Sequence, residues 1–128
     1  MEWLMSLPPG AQRDDDVEAA SYRWIQSDRS AAMRWFSQAD DRPALQPAWR
    51  SYSQALVDED PRRALAIVER IDDVVDRDGT LVSVLQLWLA RFPDDANVWI
   101  EQSDLPEALV AQVRAEPRTP GVMVRRRP

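Results

Sequence analysis

The side chains that could do chemistry in this chain of 128 residues are mostly carboxylates. Histidine, cysteine and lysine do not occur in the sequence, so the usual general base, the usual metal ligands and the amine nucleophile are missing. Pairs of Asp and Glu can act as general acid and base, but they need a concave, water-restricted site that shifts their pKa values. We therefore expect a protein that is not an enzyme and that uses no cofactor.

Two acidic clusters could in principle bind calcium, because hard cations take carboxylate oxygens. The first is Asp14–Asp16. The second includes the sequence DRDG, which is similar to part of an EF-hand loop, but Val74 and Leu85 stand at its first and last ligand positions. We expect a solvated loop between helices here, with helix-capping aspartates, and a helix N-terminus at the first cluster, where the dipole favours negative charge. A carboxylate-based calcium module stays the remote alternative. The second cluster comprises Asp72, Asp73, Asp76 and Asp78.

Charge and hydropathy bear on the classes of partner. The net charge is -6, whereas nucleic-acid binding needs clustered positive charge that displaces counterions. No apolar run approaches the ~20 residues of a membrane span. Arg125–Arg127 could attract an acidic surface, but three charges in an acidic chain attract weakly, and we expect a solvated end. We predict no nucleic-acid partner and no membrane span.

A repeat of 32 residues organises the sequence, and repeats of this length indicate a stacked architecture. The stretches that begin at Tyr22, Gln54 and Gln86 align without a gap. Trp3 and Leu4 fall in the columns of a preceding unit, so five of the 6 Trp occupy two columns. The repeated columns include Trp24, Leu56 and Trp88; Ala32, Ala64 and Ala96; Trp35, Ile67 and Trp99; and Phe36, Val68 and Ile100.

Each unit has the pattern of two helices. The shorter helix begins with Asp60 as N-cap and Pro61 at the first helical position, where no backbone donor is needed. Its apolar positions are spaced i, i+3, i+4 and i+7, which predicts a single buried face. That face comprises Ala64, Ile67, Val68 and Ile71.

The longer helix of each unit precedes the polar break. In one unit we expect it to run from about Leu81 to Trp88, after a turn and cap at Gly79–Thr80. In the preceding unit it carries Trp49, Tyr52 and Leu56. A last helix is expected near Asp104, with a capping box that has Glu107 at its N3 position.

These patterns predict an all-α fold: a right-handed stack of antiparallel helical hairpins, an α-solenoid of about three to four repeats. Residues 1–117 form the helical-repeat domain, and residues 118–128 form an extended or disordered tail. The tryptophans, in register with Leu, Ile and Val, are expected in the core and not in a ligand cage. Trp49 stands outside both Trp columns, opposite Val17 and Leu81, and is expected in the core as well.

The stretch FPDDANVW resembles a tetratricopeptide-repeat junction, in which a polar turn with proline precedes a helix bearing Trp in its first turn. The period of 32 differs from the 34 of that family, and Ile67 replaces Trp in the second unit. The resemblance implies a groove lined by one helix of each hairpin. Its groove positions hold no Arg, so a clamp for two carboxylates is not expected, and a partner would be basic or amphipathic. Those positions are Met33, Ser37, Leu65, Glu69, Asn97 and Glu101.

The sequence therefore predicts a non-catalytic scaffold or adaptor that binds a peptide or partner protein on a helical-repeat surface. The alternative is a structural or assembly element, because the chain starts inside a repeat at Trp3: it would form a homodimer through terminal repeat faces or belong to a longer protein. The start lacks a leader pattern, which favours the cytoplasm, whereas a leader removed from a longer parent would indicate export.

Overall fold

The computed structural model describes residues 6–40 and 42–115, and this part of the chain is all-α, as the sequence predicts, with no strand. Trp3 and the predicted tail at residues 118–128 lie outside the described residues. The elements are α1 (Ala11–Ser27), α2 (Arg29–Gln38), a 3-10 helix (Pro43–Ala48), α3 (Trp49–Leu56), α4 (Pro61–Val68), α5 (Val74–Arg91), α6 (Pro93–Gln102) and α7 (Glu107–Arg114).

Three helix junctions have the same backbone geometry at intervals of 32 residues. The junction residues are Asp28, Asp60 and Phe92, with φ of -148°, -157° and -138°. Each donates its N–H to the carbonyl four residues earlier, at 2.7 to 2.8 Å, and each accepts from the alanine four residues later at 3.0 Å. The chain therefore changes direction in the same way three times, at the positions that the repeat columns align.

Capping explains why the chain turns at these points. The Asp28 carboxylate accepts from the Ala31 N–H at 3.3 Å, and the Asp60 carboxylate accepts from the Arg63 N–H at 3.1 Å. Pro61 occupies the first turn of α4, where its missing N–H costs no hydrogen bond. The cap predicted at Asp60 and Pro61 is therefore confirmed.

The helices form two rows that differ in their packing. The first row, α1, α3, α5 and α7, packs in sequence, each helix against the next. In the second row, α2 packs against α1 and α3, α4 packs against α3 and α5, and α6 packs against α5. The 3-10 helix packs against α1 and α3. Each helix therefore packs mainly against helices that are one or two elements away from it in the chain.

The tryptophans pack in the interior or against it, which confirms the core prediction for those in the described part of the chain. Trp49 and Trp88 are buried, and the others contact the core while partly exposed. The Trp24–Trp35 pair has ring centroids 6.0 Å apart at 55°, and the equivalent Trp88–Trp99 pair has 6.1 Å and 52°. The 32-residue repeat is therefore also visible in the distance and angle between the paired tryptophan rings.

A second aromatic cluster joins α2 to α3. Phe36 stacks on Tyr52 at 5.3 Å, and Trp49 lies 6.5 Å from Phe36 and 6.2 Å from Tyr52 between ring centroids. The guanidinium of Arg70 lies 5.0 Å from the centroid of the Trp49 ring, in a cation–π arrangement. One unit later, the three aromatic positions hold Val68, Leu81 and Val84. In that unit the three equivalent positions are therefore occupied by smaller side chains.

The start of α5 differs from the prediction. This helix begins at Val74, not near Leu81, because Asp73 acts as its N-cap and accepts from the Asp76 N–H at 2.9 Å. Gly79, which we expected in a turn, lies inside the helix. Glycine costs about 1 kcal/mol in a helix interior, and the cap together with the buried face beginning at Thr80 outweighs that cost. The loop predicted at this acidic cluster is therefore wrong for residues 74–78, which are helical, whereas the predicted capping of a helix by its aspartates is confirmed at Asp73.

The last helix also begins later than predicted. It starts at Glu107, with Pro106 in an extended conformation at the N-cap position, and no side-chain cap hydrogen bond forms there. The residue before a proline is disfavoured in the helical region, so Leu105 prevents a helix from starting at Asp104. The capping box predicted between Asp104 and Glu107 is therefore wrong.

Replacing the Asp60 cap tests the junction. We expect Asp60→Ala to lower the free energy of unfolding by about 1 kcal/mol, because the Arg63 N–H loses its acceptor. Asp94→Ala, at an exposed carboxylate in the first turn of α6, serves as the control and is expected to change it by less than about 0.5 kcal/mol. Urea denaturation measures both values. Equal effects would contradict a specific role of the cap.

Truncation of equivalent residues tests the asymmetry between the units. We expect Trp49→Ala to cost about 3–5 kcal/mol, because it removes a fully buried ring from the aromatic cluster. Leu81→Ala, at the equivalent position, is expected to cost less than about 2 kcal/mol because this side chain is only partly buried. Thermal and urea denaturation give the comparison. A loss of stability for Leu81→Ala as large as that for Trp49→Ala would contradict the predicted asymmetry between the units.

Candidate acidic groove

A groove of about 470 Å³ lies between α1, the 3-10 helix, α3 and the start of α5. We call it the acidic groove, because six carboxylates and one guanidinium line it. The guanidinium belongs to Arg50, and Gln46 and Thr80 are also in the lining. The carboxylates belong to Asp14, Asp15, Glu18, Asp72, Asp73 and Asp76. The groove therefore presents a strong excess of negative charge to a ligand.

The packing of the first row brings these carboxylates together from two distant parts of the chain. Three of them lie in the first two turns of α1, and the other three lie at or just before the first turn of α5. Because α3 packs against both α1 and α5, the N-terminal parts of those helices flank one depression. Acidic residues near a helix N-terminus are stabilised by its dipole, so the same positions serve folding and surface charge.

Two polar side chains fix the floor of the acidic groove. Gln46 accepts from the Asp72 N–H at 2.8 Å and donates to the Arg70 carbonyl at 2.7 Å. Arg50 donates through Nε to the hydroxyl of Thr80 at 3.4 Å, and Thr80 is buried. The 3-10 helix and α3 are thus tied to the segment that enters α5, which holds the two acidic walls in place.

The geometry does not match a calcium loop. Residues 74–78 are helical, so Asp76 and Asp78 lie on different sides of α5: Asp76 faces the acidic groove and Asp78 lines a different cavity. Among the residues that the structure describes, no three acidic side chains converge as a metal site would require. The Asp14–Asp16 cluster lies near the N-terminus of α1, as expected from the sequence.

The six partner-binding residues predicted from the resemblance lie on the second row and outside the acidic groove. Met33 and Ser37 line a cavity of about 630 Å³ between α2, α3 and α4. Leu65 and Glu69 line another of about 380 Å³. Two lie on α6: Asn97 accepts from Arg114 at 2.8 Å and donates to the Pro93 carbonyl at 2.9 Å, and Glu101 is exposed. The structure places five of the six on three helices and Glu69 at the C-cap of α4, and their role stays a prediction.

Sequence reasoning missed the acidic groove because it treated the two acidic clusters separately. The repeat register contained the signal: Asp14 and Gln46 are equivalent positions, and so are Glu18 and Arg50. All four lie in the groove lining: Asp14 and Glu18 on α1, Arg50 on α3, and Gln46 on the 3-10 helix that packs against both. Comparison of the first-row helices in this register would therefore have placed the first cluster beside the 3-10 helix and α3.

Ion pairs link the junctions along another edge of the molecule. Arg29 pairs with Glu59 at 3.0 Å and donates to the Ala55 carbonyl at 2.7 Å. Asp58 lies 2.7 Å from Arg91 and 3.9 Å from Arg29. These side chains are about half exposed, so each pair contributes at most about 1 kcal/mol. They link neighbouring junctions, and none of these four side chains is in the lining of the acidic groove.

Comparisons with known proteins gave no match to a family model, a curated protein or a solved structure. Within residues 6–40 and 42–115, no helix has the length and apolar content needed to cross a bilayer.

Addition of Ca²⁺ tests the acidic groove as a metal site. We expect calorimetric titration to give no saturable heat below about 1 mM, because the carboxylates are spread along the walls and do not converge. Thermal denaturation in Ca²⁺ should match denaturation at the same ionic strength in NaCl. A saturable isotherm with one ion per chain would contradict this prediction.

Proposed function

We propose that the protein is a non-catalytic interaction scaffold that binds a basic or amphipathic segment of a partner protein in the acidic groove. The excess of carboxylates in a depression of about 470 Å³ is the observation that carries the proposal. Such a surface attracts positive charge and disfavours acidic partners. The six carboxylates of the groove are exposed to solvent, which suits a peptide better than a catalytic reaction.

The proposed architecture is an α-solenoid similar to the tetratricopeptide-repeat class. The recurring junction hydrogen bonds and the sequential packing of the first row support it. In solenoids each repeat contacts mainly its neighbours, and successive helices create extended binding surfaces. The acidic groove spans α1, α3 and α5, so a bound peptide would contact helices from successive units.

The chemistry of the groove specifies the peptide. Lys or Arg side chains can pair with carboxylates from both walls, Asp15 on one and Asp72 on the other. Pro47, which is partly exposed, provides apolar surface along the floor, which suits the apolar residues of an amphipathic segment. Association should weaken with added salt, because the charged groups are exposed and are screened over a Debye length of about 8–10 Å.

A matched pair of triple variants tests the acidic groove. An Arg-rich peptide with a fluorescent label should bind the wild-type protein by anisotropy, and its Glu-containing twin should not. We expect the groove variant to bind the basic peptide at least about tenfold more weakly, equivalent to ~1.4 kcal/mol, and with a smaller salt dependence. The groove variant carries Asp15→Asn, Glu18→Gln and Asp72→Asn.

The control variant changes the net charge by the same amount at exposed sites on α6 and α7: Asp94→Asn, Asp95→Asn and Glu107→Gln. We expect it to bind as the wild type does, within about twofold. Equal weakening by both triple variants would indicate attraction by net charge alone and would refute the groove. Absence of binding by the wild type would refute the proposed function for basic peptides.

A further inference from the structure

The cavity of about 630 Å³ between α2, α3 and α4 shares no lining residue with the acidic groove. We call it the arginine cleft, because Arg29, Arg34 and Arg63 are in its lining. One face of α2 forms the first wall, and α4 with the junction before it forms the second. Two buried residues of α3, Tyr52 and Leu56, form the floor. The function proposed above makes no use of this cleft.

The carboxylates of the arginine cleft are engaged within the protein, whereas two of its guanidiniums are not. Glu59 pairs with Arg29 at 3.0 Å, and the Asp60 carboxylate caps α4. Arg34 and Arg63 are exposed on the two walls, and within the described residues neither guanidinium has an ion pair or a hydrogen bond. With both carboxylates counted, the lining carries one net positive charge. The cleft therefore presents two unpaired cations in a chain whose net charge is -6.

Tyr52 supplies a third hydrogen-bond donor, at the floor of the arginine cleft. The residue is 1% exposed, and its ring is held by Phe36 and Trp49, with centroids 5.3 and 6.2 Å away. A buried tyrosine normally gives its hydroxyl a partner, but in the part of the chain that the structure describes this hydroxyl has none. Because it is not among the enclosed polar atoms that lack a partner, the hydroxyl is the atom of Tyr52 that reaches the cleft.

The repeat architecture does not require these three donors. The equivalent positions in the next unit hold Ala66, Val84 and Asp95. That unit nevertheless keeps the same junction hydrogen bonds and the same alanine column. The two unpaired guanidiniums and the hydroxyl are therefore specific to the arginine cleft, and the packing of the stack does not account for them.

We propose that the arginine cleft binds a phosphate monoester, carried as a phosphorylated side chain by a segment of a partner protein. Such a group has three acceptor oxygens and a charge of about -1.5 to -2 at neutral pH, which matches two guanidiniums and one hydroxyl. Guanidiniums bind phosphate oxygens in pairs. A carboxylate has two oxygens and one charge, so it would leave one cation unneutralised. A nucleic acid is disfavoured because each of its phosphodiesters carries one charge and the chain as a whole is acidic.

The test uses three fluorescent peptides that differ at one position. The rest of each peptide is neutral, so that it does not engage the acidic groove, and the central residue is phosphoserine, glutamate or serine. We expect anisotropy to show saturable binding of the phosphoserine peptide and at least about tenfold weaker binding of the other two. Addition of the phosphoserine peptide to ¹⁵N-labelled protein should shift the amides of residues 33–37 and 52–56 and leave those of residues 93–102 in place.

Matched variants assign the binding to the three donors. Tyr52→Phe removes a hydroxyl that has no partner among the described residues, so we expect an unchanged melting temperature and about fivefold weaker binding of the phosphoserine peptide. The cleft variant, Arg34→Gln with Arg63→Gln, should bind it at least about tenfold more weakly. The control variant, Arg23→Gln with Arg62→Gln, changes the net charge equally at exposed residues outside the lining and should bind within about twofold of the wild type.

Each contrary outcome overturns a defined part of the inference. Equal weakening by the cleft and control variants, or no binding by the wild type, refutes the arginine cleft. Equal binding of the phosphoserine and glutamate peptides overturns the preference for phosphate, and wild-type affinity in Tyr52→Phe overturns the role of the hydroxyl. If inorganic phosphate competes with the affinity of the phosphoserine peptide, the cleft is a site for a small anion and the protein partner is overturned. The acidic groove is tested with basic peptides, so the two proposals fail separately.

Discussion

The helix junction is the constraint on which the rest of this structure depends. At Asp28, Asp60 and Phe92 the backbone adopts the same conformation, and the alanine four residues later donates to the junction carbonyl. A small residue at that place lets the two helices approach closely. Because the junctions recur with a fixed spacing, alternate helices return to the same side and pack on one another. The aromatic pairs on either side of the first and third junctions keep the same separation, which indicates that the side-chain packing follows the backbone.

The acidic groove is a consequence of this arrangement. Helices that pack in sequence within one row bring their N-terminal turns to neighbouring positions, and helix N-termini favour Asp and Glu. Carboxylates selected for local reasons at α1 and α5 therefore accumulate at one surface. The Gln46 bridge to Arg70 and Asp72 then fixes the separation of the walls.

The sequence predicts the parts of the fold that local chemistry determines. The Asp60–Pro61 pair specified a helix start because a carboxylate acceptor and a residue without N–H both suit the first turn. The aligned Trp, Leu and Ile columns specified the buried faces. Prediction was wrong where two local signals competed: Gly79 suggested a turn, while the Asp73 cap started the helix about two turns earlier. Likewise Pro106 moved the last helix beyond its apparent cap. The acidic groove needed tertiary information, because its walls come from residues about 58 positions apart in the chain.

The differences between repeat units show how the core stays packed while individual columns change. The shared columns satisfy the geometry of the junction and do not indicate a ligand; an example is the column of Ala32, Ala64 and Ala96. Where a column changes from Trp49 to Leu81, the backbone is retained and the volume of the side chain is lost. A monomeric core normally closes such a gap by relaxation or with a larger neighbour, because interiors are close-packed. Here the larger neighbour is present: Trp99 lines the same cavity as Leu81 and stands at the position where the preceding unit has Ile67. The side-chain volume that one column loses between the two units is therefore regained in another column.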